Sequence, residues 1–144
     1  MKVLLAIPHV FQPKAGSLYS SQTEAKRTCK QAAVEAATIG NLNRHSKNHW
    51  IHASLGNRQP IVTREMNTNN GLDITIQLFT PAGASLAKNI QSDPRLKIID
   101  PHVSDNIHVP LVASRRLLEQ SADYDILGYM EDDLLIEDPE FFQK

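Results

Sequence analysis

Mainly apolar runs of four to seven residues recur along the chain, and a proline, glycine or acidic residue follows each run within two positions. The runs predict strands at residues 2–7, 50–55, 73–79, 96–99 and 124–130. Helical patterns lie between most of these runs. This alternation of strand and helix is typical of an α/β fold with a largely parallel sheet.

Two longer helices are predicted from residues that recur at helical spacing. The first begins at Ser21 or Thr23, which can cap it, and Gly40 ends or interrupts it. Small residues three or four positions apart predict the face that lies against the sheet: Ala25, Cys29, Ala32, Ala33 and Ala36. On that face Cys29 is expected to be a core residue and not a nucleophile.

The second helix is predicted to run from about Pro110 to about Gln120, because the first turn of a helix does not need the N–H that proline lacks. Its inward positions are expected to be Leu111, Val112, Leu117 and Leu118. Shorter helical segments are expected at residues 86–90 and after Asp138-Pro139.

The strand at 124–130 ends in three consecutive acids, Glu131, Asp132 and Asp133. Even-numbered residues of this strand are expected to face one side of the sheet and odd-numbered residues the other. Ionised carboxylates are costly to bury, so the strand should end there, at a cleft. Parallel sheets bind ligands at this edge, and Mg²⁺ or Mn²⁺ takes one or two carboxylates plus phosphate oxygens. The triplet therefore predicts a Mn²⁺ or Mg²⁺ site beside a nucleoside diphosphate.

Other candidate site residues lie near the same edge of the predicted sheet. Pro8 and His9 follow the first strand, where His9 is placed to touch a base or a phosphate. Arg115 and Arg116 lie on the helix before the acidic strand, where one guanidinium can reach a phosphate. A metal site made of histidines at 45, 49 and 52 is disfavoured, because their spacing spans a loop and a strand.

Length and charge exclude several classes of protein. The 144 residues suit one domain, and 15 basic against 16 acidic residues give no basic excess for nucleic acid. The single cysteine cannot form an internal disulfide. No stretch approaches the ~20 apolar residues of a transmembrane helix, and the apolar opening is too short for a signal peptide. We expect a soluble, cytoplasmic protein without a nucleic-acid partner.

Two local motifs resemble the GT-A glycosyltransferases, whose acidic "DXD" motif ends a strand. The acidic segment is similar to that of the N-acetylglucosaminyltransferase I family, and the preceding helix to that of family 2 glycosyltransferases; the residues concerned are Glu131-Asp132-Asp133-Leu134 with Asp138-Pro139-Glu140-Phe141-Phe142, and Ala113-Ser114-Arg115. The resemblance implies a Rossmann-like three-layer α/β/α domain with a mostly parallel sheet, covering residues 1–144.

The resemblance also implies roles for single residues. Asp133 would ligate Mn²⁺ or Mg²⁺, and Glu131 and Asp132 would lie near the ribose and sugar of a nucleotide-sugar donor. Arg115 would lie near the donor or the motif, and Pro8 and His9 would contact the nucleobase. The activity implied is transfer of a sugar to an acceptor hydroxyl.

In inverting relatives the catalytic base comes from a later, acceptor-binding part of the chain. We therefore assign no catalytic residue and expect the sequence to be the N-terminal part of a longer glycosyltransferase. Such a fragment could bind a donor without transferring its sugar.

Two other functions fit parts of the sequence. A nucleotidyltransferase shares the layout, but it normally has a glycine-rich phosphate loop after the first strand, where residues 8–17 contain only Gly16. A non-enzymatic α/β interaction domain would carry the three acids in a solvated turn.

Overall fold

The computed structural model describes residues 1–13, 23–45, 49–52, 62–65, 72–138 and 141–143. Its strands are β1 (Lys2–Pro8), β2 (His49–His52), β3 (Val62–Glu65), β4 (Asp73–Phe79), β5 (Leu96–Ile99) and β6 (Ile126–Tyr129). Its α-helices are α1 (Arg27–Glu35), α2 (Asn41–His45) and α3 (Val109–Glu119). The π-helical turn Ala36–Gly40 joins α1 to α2, and 3-10 turns lie at Glu24–Lys26, Ala87–Asn89, Asn106–His108 and Phe141–Gln143.

Four strands form a parallel sheet in the spatial order β5-β4-β1-β6. The register pairs Val3 of β1 with Ile74 of β4 on one side and with Ile126 of β6 on the other. After β1, the next two strands of this sheet, β4 and β5, are added on one side of β1, and β6 is then added on its other side. This reversal makes the gap between β1 and β6 the topological switch point, where open α/β sheets bind ligands.

The side chains of β1 divide between two hydrophobic cores, one on each face of the sheet. Val3, Leu5 and Ile7 pack in the core that includes residues of the α1–α2 helix, and Leu4 and Ala6 pack in the core that includes α3. A parallel strand covered on both faces is apolar at every position, which is why this run was recognisable. The three-layer α/β/α architecture with a parallel sheet is confirmed.

Strand β6 shows the predicted alternation between the two faces. Ile126 and Met130 contact the core beneath the α1–α2 helix, and Leu127 contacts the core beneath α3. Gly128 is in register with Leu5 of β1. A Cβ at position 128 would lie 2.6 Å from the Cδ2 of Leu5, so glycine permits the close pairing of β6 with β1.

The strand predicted at 50–55 lies outside the main sheet. Its described part, β2, pairs antiparallel with β3 in a separate two-stranded sheet. The sequence did not predict β3, because its residues, Val-Thr-Arg-Glu, contain no apolar run. Residues 53–55 of the predicted strand lie outside the described residues.

The α1–α2 helix buries a different face from the one predicted. Cys29 is exposed, as are Ala25 and Ala32, so the prediction of Cys29 in the core is wrong. The buried residues form one helical stripe: Val34, Ala37, Thr38, Asn41, Leu42 and His45. Apolar periodicity missed this stripe because half of its members are polar and are buried with hydrogen-bond partners. The helix also continues through Gly40 to His45.

Helix α3 begins one residue before Pro110 and ends at Glu119, close to the predicted bounds. Its buried residues are Val109, Ala113 and Leu117, which recur every four positions. Leu111 and Leu118 are each 68% exposed, so their predicted inward orientation is wrong. Because Ala113 is small, the helix can lie close to the sheet at this position. The size of the apolar side chains therefore does not identify the inward face.

No helix in the described ranges is long and apolar enough to cross a membrane.

Gly128→Ala should destabilise the fold by about 1–3 kcal/mol, because the added methyl group overlaps a Leu5 side chain that is itself buried. Gly83→Ala is the matched control, since a Cβ there has no neighbour within 4 Å. Urea denaturation of both variants measures the difference. Equal unfolding free energies for the two variants would contradict the proposed close contact.

Candidate functional site

A cleft of about 1020 Å³ opens at the carboxyl edge of the sheet, where β1 and β6 end. Four parts of the chain line it: the end of β1 and the loop after it, α1, the loop leading into α3, and the turn after β6. The described lining residues are Pro8, Val10, Gln12, Lys30, Ser104, Asp105, Asn106, Ile107, Pro110, Glu131, Asp132 and Asp133. The acidic triplet and Pro8 thus share one cleft, as the sequence predicted.

The triplet leaves the sheet in a tight turn whose start is anchored in the core. The Met130 N–H donates to the Ala6 carbonyl at 3.1 Å, and the Met130 side chain is buried. The three acids that follow have different environments: Glu131 is exposed, the Asp132 side chain is 14% exposed, and the Asp133 side chain is 56% exposed. They are therefore not equivalent ligands.

Asp132 accepts a hydrogen bond from the buried His9 side chain. The Nδ1 atom of His9 lies 2.7 Å from Oδ2 of Asp132, and the His9 residue is 1% exposed. The backbone N–H of Leu86 donates to Nε2 of His9 at 3.1 Å. Because Nε2 accepts, the ring proton lies on Nδ1 and is donated to the carboxylate. Both ring nitrogens of His9 are thus engaged within the protein.

Lys30 contacts the same carboxylate from the cleft wall. Its Nζ lies 3.3 Å from Oδ1 of Asp132 and 3.8 Å from Oδ2 of Asp133. Burial raises the pKa of the Asp132 carboxyl, but the hydrogen bond from His9 and the charge of Lys30 outweigh burial, and the pKa lies below its usual value. Asp132 is therefore ionised at neutral pH and has a protein partner at each oxygen.

The segment after the triplet is fixed to the α1–α2 helix by polar side chains of the helix. The Asn41 side chain donates to the Leu134 carbonyl at 3.2 Å and accepts from the Ile136 N–H at 2.8 Å. His45 Nε2 lies 3.2 Å from the Ile136 carbonyl, and Arg44 donates to the Glu137 carbonyl at 2.9 Å. This irregular segment therefore has many of its backbone groups satisfied by side chains, which is what its position beside the core requires.

Two amide side chains of the cleft lining contact each other. The Asn106 side chain donates to Oε1 of Gln12 at 3.0 Å, linking the loop after β1 to the turn before α3. Asp105 caps that turn by accepting from the Ile107 N–H at 3.0 Å. Amides can pair with the edge of a nucleobase or with sugar hydroxyls, so this part of the lining offers neutral polar contacts in addition to the acids.

The cleft carries an excess of negative charge. Its described lining includes four carboxylates, Asp105, Glu131, Asp132 and Asp133, against one ammonium, that of Lys30. A cleft lined by one sign of charge raises the local concentration of counter-ions. Its electrostatics therefore favour a cation or a ligand that brings one.

Not every residue predicted from the sequence lies on the cleft. Pro8 and the three acids line it, whereas His9 is buried behind Asp132 and does not present its ring to a ligand. Arg115 lies on the outer face of α3, 82% exposed, with its Nε 3.3 Å from Glu119 Oε1, and it does not line the cleft. Arg116 is also exposed and is not among the described lining residues.

Sequence reasoning missed Lys30, Gln12 and Asn106. No signal in the sequence marked Lys30, because it lies one helical turn before buried Val34 on the stripe that apolar periodicity did not reveal. Gln12 and Asn106 carry no signal either, because they lie in the loop after β1 and in the 3-10 turn before α3, which only the fold brings together.

Only part of a metal coordination shell could come from the described residues of the cleft. Among the described residues no three His, Cys, Asp or Glu side chains are grouped to hold a metal by themselves. With Asp132 engaged by His9 and Lys30, the more exposed carboxylates are Glu131 and Asp133. Mg²⁺ and Mn²⁺ are commonly bound by one or two carboxylates plus phosphate oxygens and water, whereas a structural zinc site needs four protein ligands.

Comparisons of the chain with protein-family models, curated proteins and solved structures found no match. The fold and the cleft therefore define an α/β protein with a parallel sheet and an acidic cleft at its switch point.

His9→Phe should lower the unfolding free energy by about 2–4 kcal/mol, because the Leu86 N–H loses its acceptor and buried Asp132 loses a donor. His108→Phe at an exposed position is the control. Urea denaturation gives the stability difference, and ¹⁵N NMR of the ring should show a protonated Nδ1 and an unprotonated Nε2 in the wild type. A protonated Nε2 would contradict the assigned hydrogen bonds.

Asn41→Leu should release the segment after the triplet, because the Leu134 carbonyl and the Ile136 N–H each lose a partner at a cost of about 1–3 kcal/mol. Hydrogen exchange should show the Ile136 amide losing protection. Asn43→Leu, at an exposed position on the same helix, should leave that amide protected. Unchanged protection in Asn41→Leu would refute the anchoring role.

Proposed function

We propose that this chain binds a nucleotide-sugar donor together with Mn²⁺ or Mg²⁺ and is the donor-binding part of a GT-A-like glycosyltransferase. The observation that carries the proposal is the meeting of the acidic triplet with the loop after β1 in one cleft at the switch point. Two loops from adjacent parallel strands reach this position in proteins that bind nucleotides across the crevice.

The size and charge of the cleft support this ligand class. Its volume of about 1020 Å³ is at the upper end for small-molecule pockets and suits a ligand with several rings. A nucleoside diphosphate alone would be repelled by the four carboxylates that line the cleft. A divalent cation that accompanies the diphosphate removes that repulsion, which makes metal dependence a central part of the proposal.

The three acids take different parts in this proposal. Asp133 takes the role of metal ligand that the resemblance implies, and its side chain, 56% exposed on the cleft, is open to a cation. Glu131, also exposed on the cleft, would accept hydrogen bonds from hydroxyl groups of the ribose or sugar. Asp132 supports the site, because His9 and Lys30 already occupy its oxygens.

Transfer of the sugar would use this arrangement to stabilise the leaving group. A bound divalent cation supplies charge stabilisation to the diphosphate as the bond to the sugar breaks. Asp133 would hold that cation, while Pro8 and Val10 form an apolar part of the wall suited to a base or sugar face. The acceptor hydroxyl needs a base, and no described residue is assigned that role.

Asp133→Asn should weaken metal-dependent nucleotide-sugar binding at least about tenfold, because an amide is a poorer ligand for a hard cation than a carboxylate. Isothermal titration calorimetry with UDP-, GDP- and ADP-sugars in the presence and absence of Mn²⁺ measures the change. Asp123→Asn, at an exposed position away from the cleft, is the control and should bind like the wild type.

Two outcomes would count against the proposal. Absence of binding by the wild type to every nucleotide sugar, with or without Mn²⁺, would favour the acids being a solvated turn of an interaction domain. Equal affinities of Asp133→Asn and the wild type would remove Asp133 as the metal ligand.

A further inference from the structure

Lys30 occupies a position in the cleft that the sequence did not reveal. It lies on α1, its side chain is 19% exposed, and its Nζ approaches two aspartates, Asp132 at 3.3 Å and Asp133 at 3.8 Å. Among the described residues that line the cleft, Lys30 alone carries a positive charge. Its ammonium group is therefore held at the cleft wall beside the proposed metal ligand.

The two contacts of Lys30 differ in kind. The contact with Asp132 is within hydrogen-bonding distance, and Asp132 is itself fixed by His9. The contact with Asp133, at 3.8 Å, is too long for a hydrogen bond and joins Lys30 to a more exposed side chain. An ammonium group has three N–H donors, and these contacts engage at most two of them.

We infer that Lys30 binds a phosphate oxygen of a diphosphate ligand in this cleft, an inference that rests on the proposed function. In the bound state Asp133 faces the cation, Lys30 faces the phosphate oxygen, and Asp132 keeps the ammonium group in position. The buried His9–Asp132 pair supplies a rigid base for this arrangement, so that the long lysine side chain is ordered before the ligand arrives.

Lys30→Met should have opposite effects on the binding of a divalent cation alone and on the binding of pyrophosphate. In Lys30→Met a positive charge next to Asp133 is removed, so Mg²⁺ or Mn²⁺ alone should bind as well as or more tightly than to the wild type. Inorganic pyrophosphate in the presence of Mg²⁺ loses a charge-assisted hydrogen bond and should bind about ten- to hundredfold more weakly. If the role of Lys30 were purely structural, Lys30→Met would weaken the binding of both ligands.

The experiment is isothermal titration calorimetry of the full chain with Mg²⁺ alone, with pyrophosphate alone, and with both. Lys26→Met is the matched control, because Lys26 is exposed one helical turn before Lys30 and does not line the cleft. Circular dichroism establishes that each variant is folded. If Lys30→Met does not fold, Lys30→Gln keeps a donor for Asp132 and replaces it in the titrations.

The outcomes separate this inference from the proposed function. Equal pyrophosphate affinity of Lys30→Met and the wild type in Mg²⁺ would overturn the role of Lys30 and leave the metal-dependent site standing. Pyrophosphate binding that needs Lys30 but no metal would support Lys30 and overturn the metal-dependent function. Weaker binding of both Mg²⁺ and pyrophosphate by Lys30→Met would overturn the inference, and absence of pyrophosphate binding by the wild type would overturn both proposals.

Discussion

The hydrogen bond between His9 and Asp132 joins residues 123 positions apart, and the shape of the cleft depends on it. A carboxylate that is largely removed from water is stable as an ion only when its oxygens have partners. His9 can be that partner because the Leu86 N–H fixes the ring proton on Nδ1. One imidazole therefore ties together the loop after β1, the segment after β4 and the turn after β6, which also carries Asp133.

The sequence predicted the strands of the main sheet better than the faces of the helices. Strand β1 is buried on both sides and is a run of apolar residues, and β4 alternates apolar with polar residues, so each had a recognisable strand pattern. A helix is covered on one side, and its buried stripe can include any residue whose polar atoms find partners. Asn41 and His45 are buried because the segment after β6 presents backbone groups to them, and that neighbour is more than 90 positions away.

The position of the candidate site was predictable, but the roles of its residues were not. Three acids after an apolar run cannot continue into a core, so the sequence alone places them at a sheet edge. Which acid is open to a ligand depends on which acids already have protein partners. The partners of Asp132 are His9 and Lys30, which come from distant parts of the chain. Arg115 is close to the acidic triplet in sequence but not in its surroundings. It lies on the solvent-exposed face of α3, beside Glu119.

The internal pairing of Asp132 also explains why the cleft keeps its negative charge. Lys30 is largely committed to Asp132, so the charges of Glu131, Asp133 and Asp105 are not balanced by any described cation that lines the cleft. A ligand with a diphosphate group can enter such a site when a divalent cation offsets the carboxylates, because two like-charged groups in a partly desolvated cleft repel strongly. In the proposed function, a cleft with this charge would bind an anion paired with a metal in preference to the anion alone.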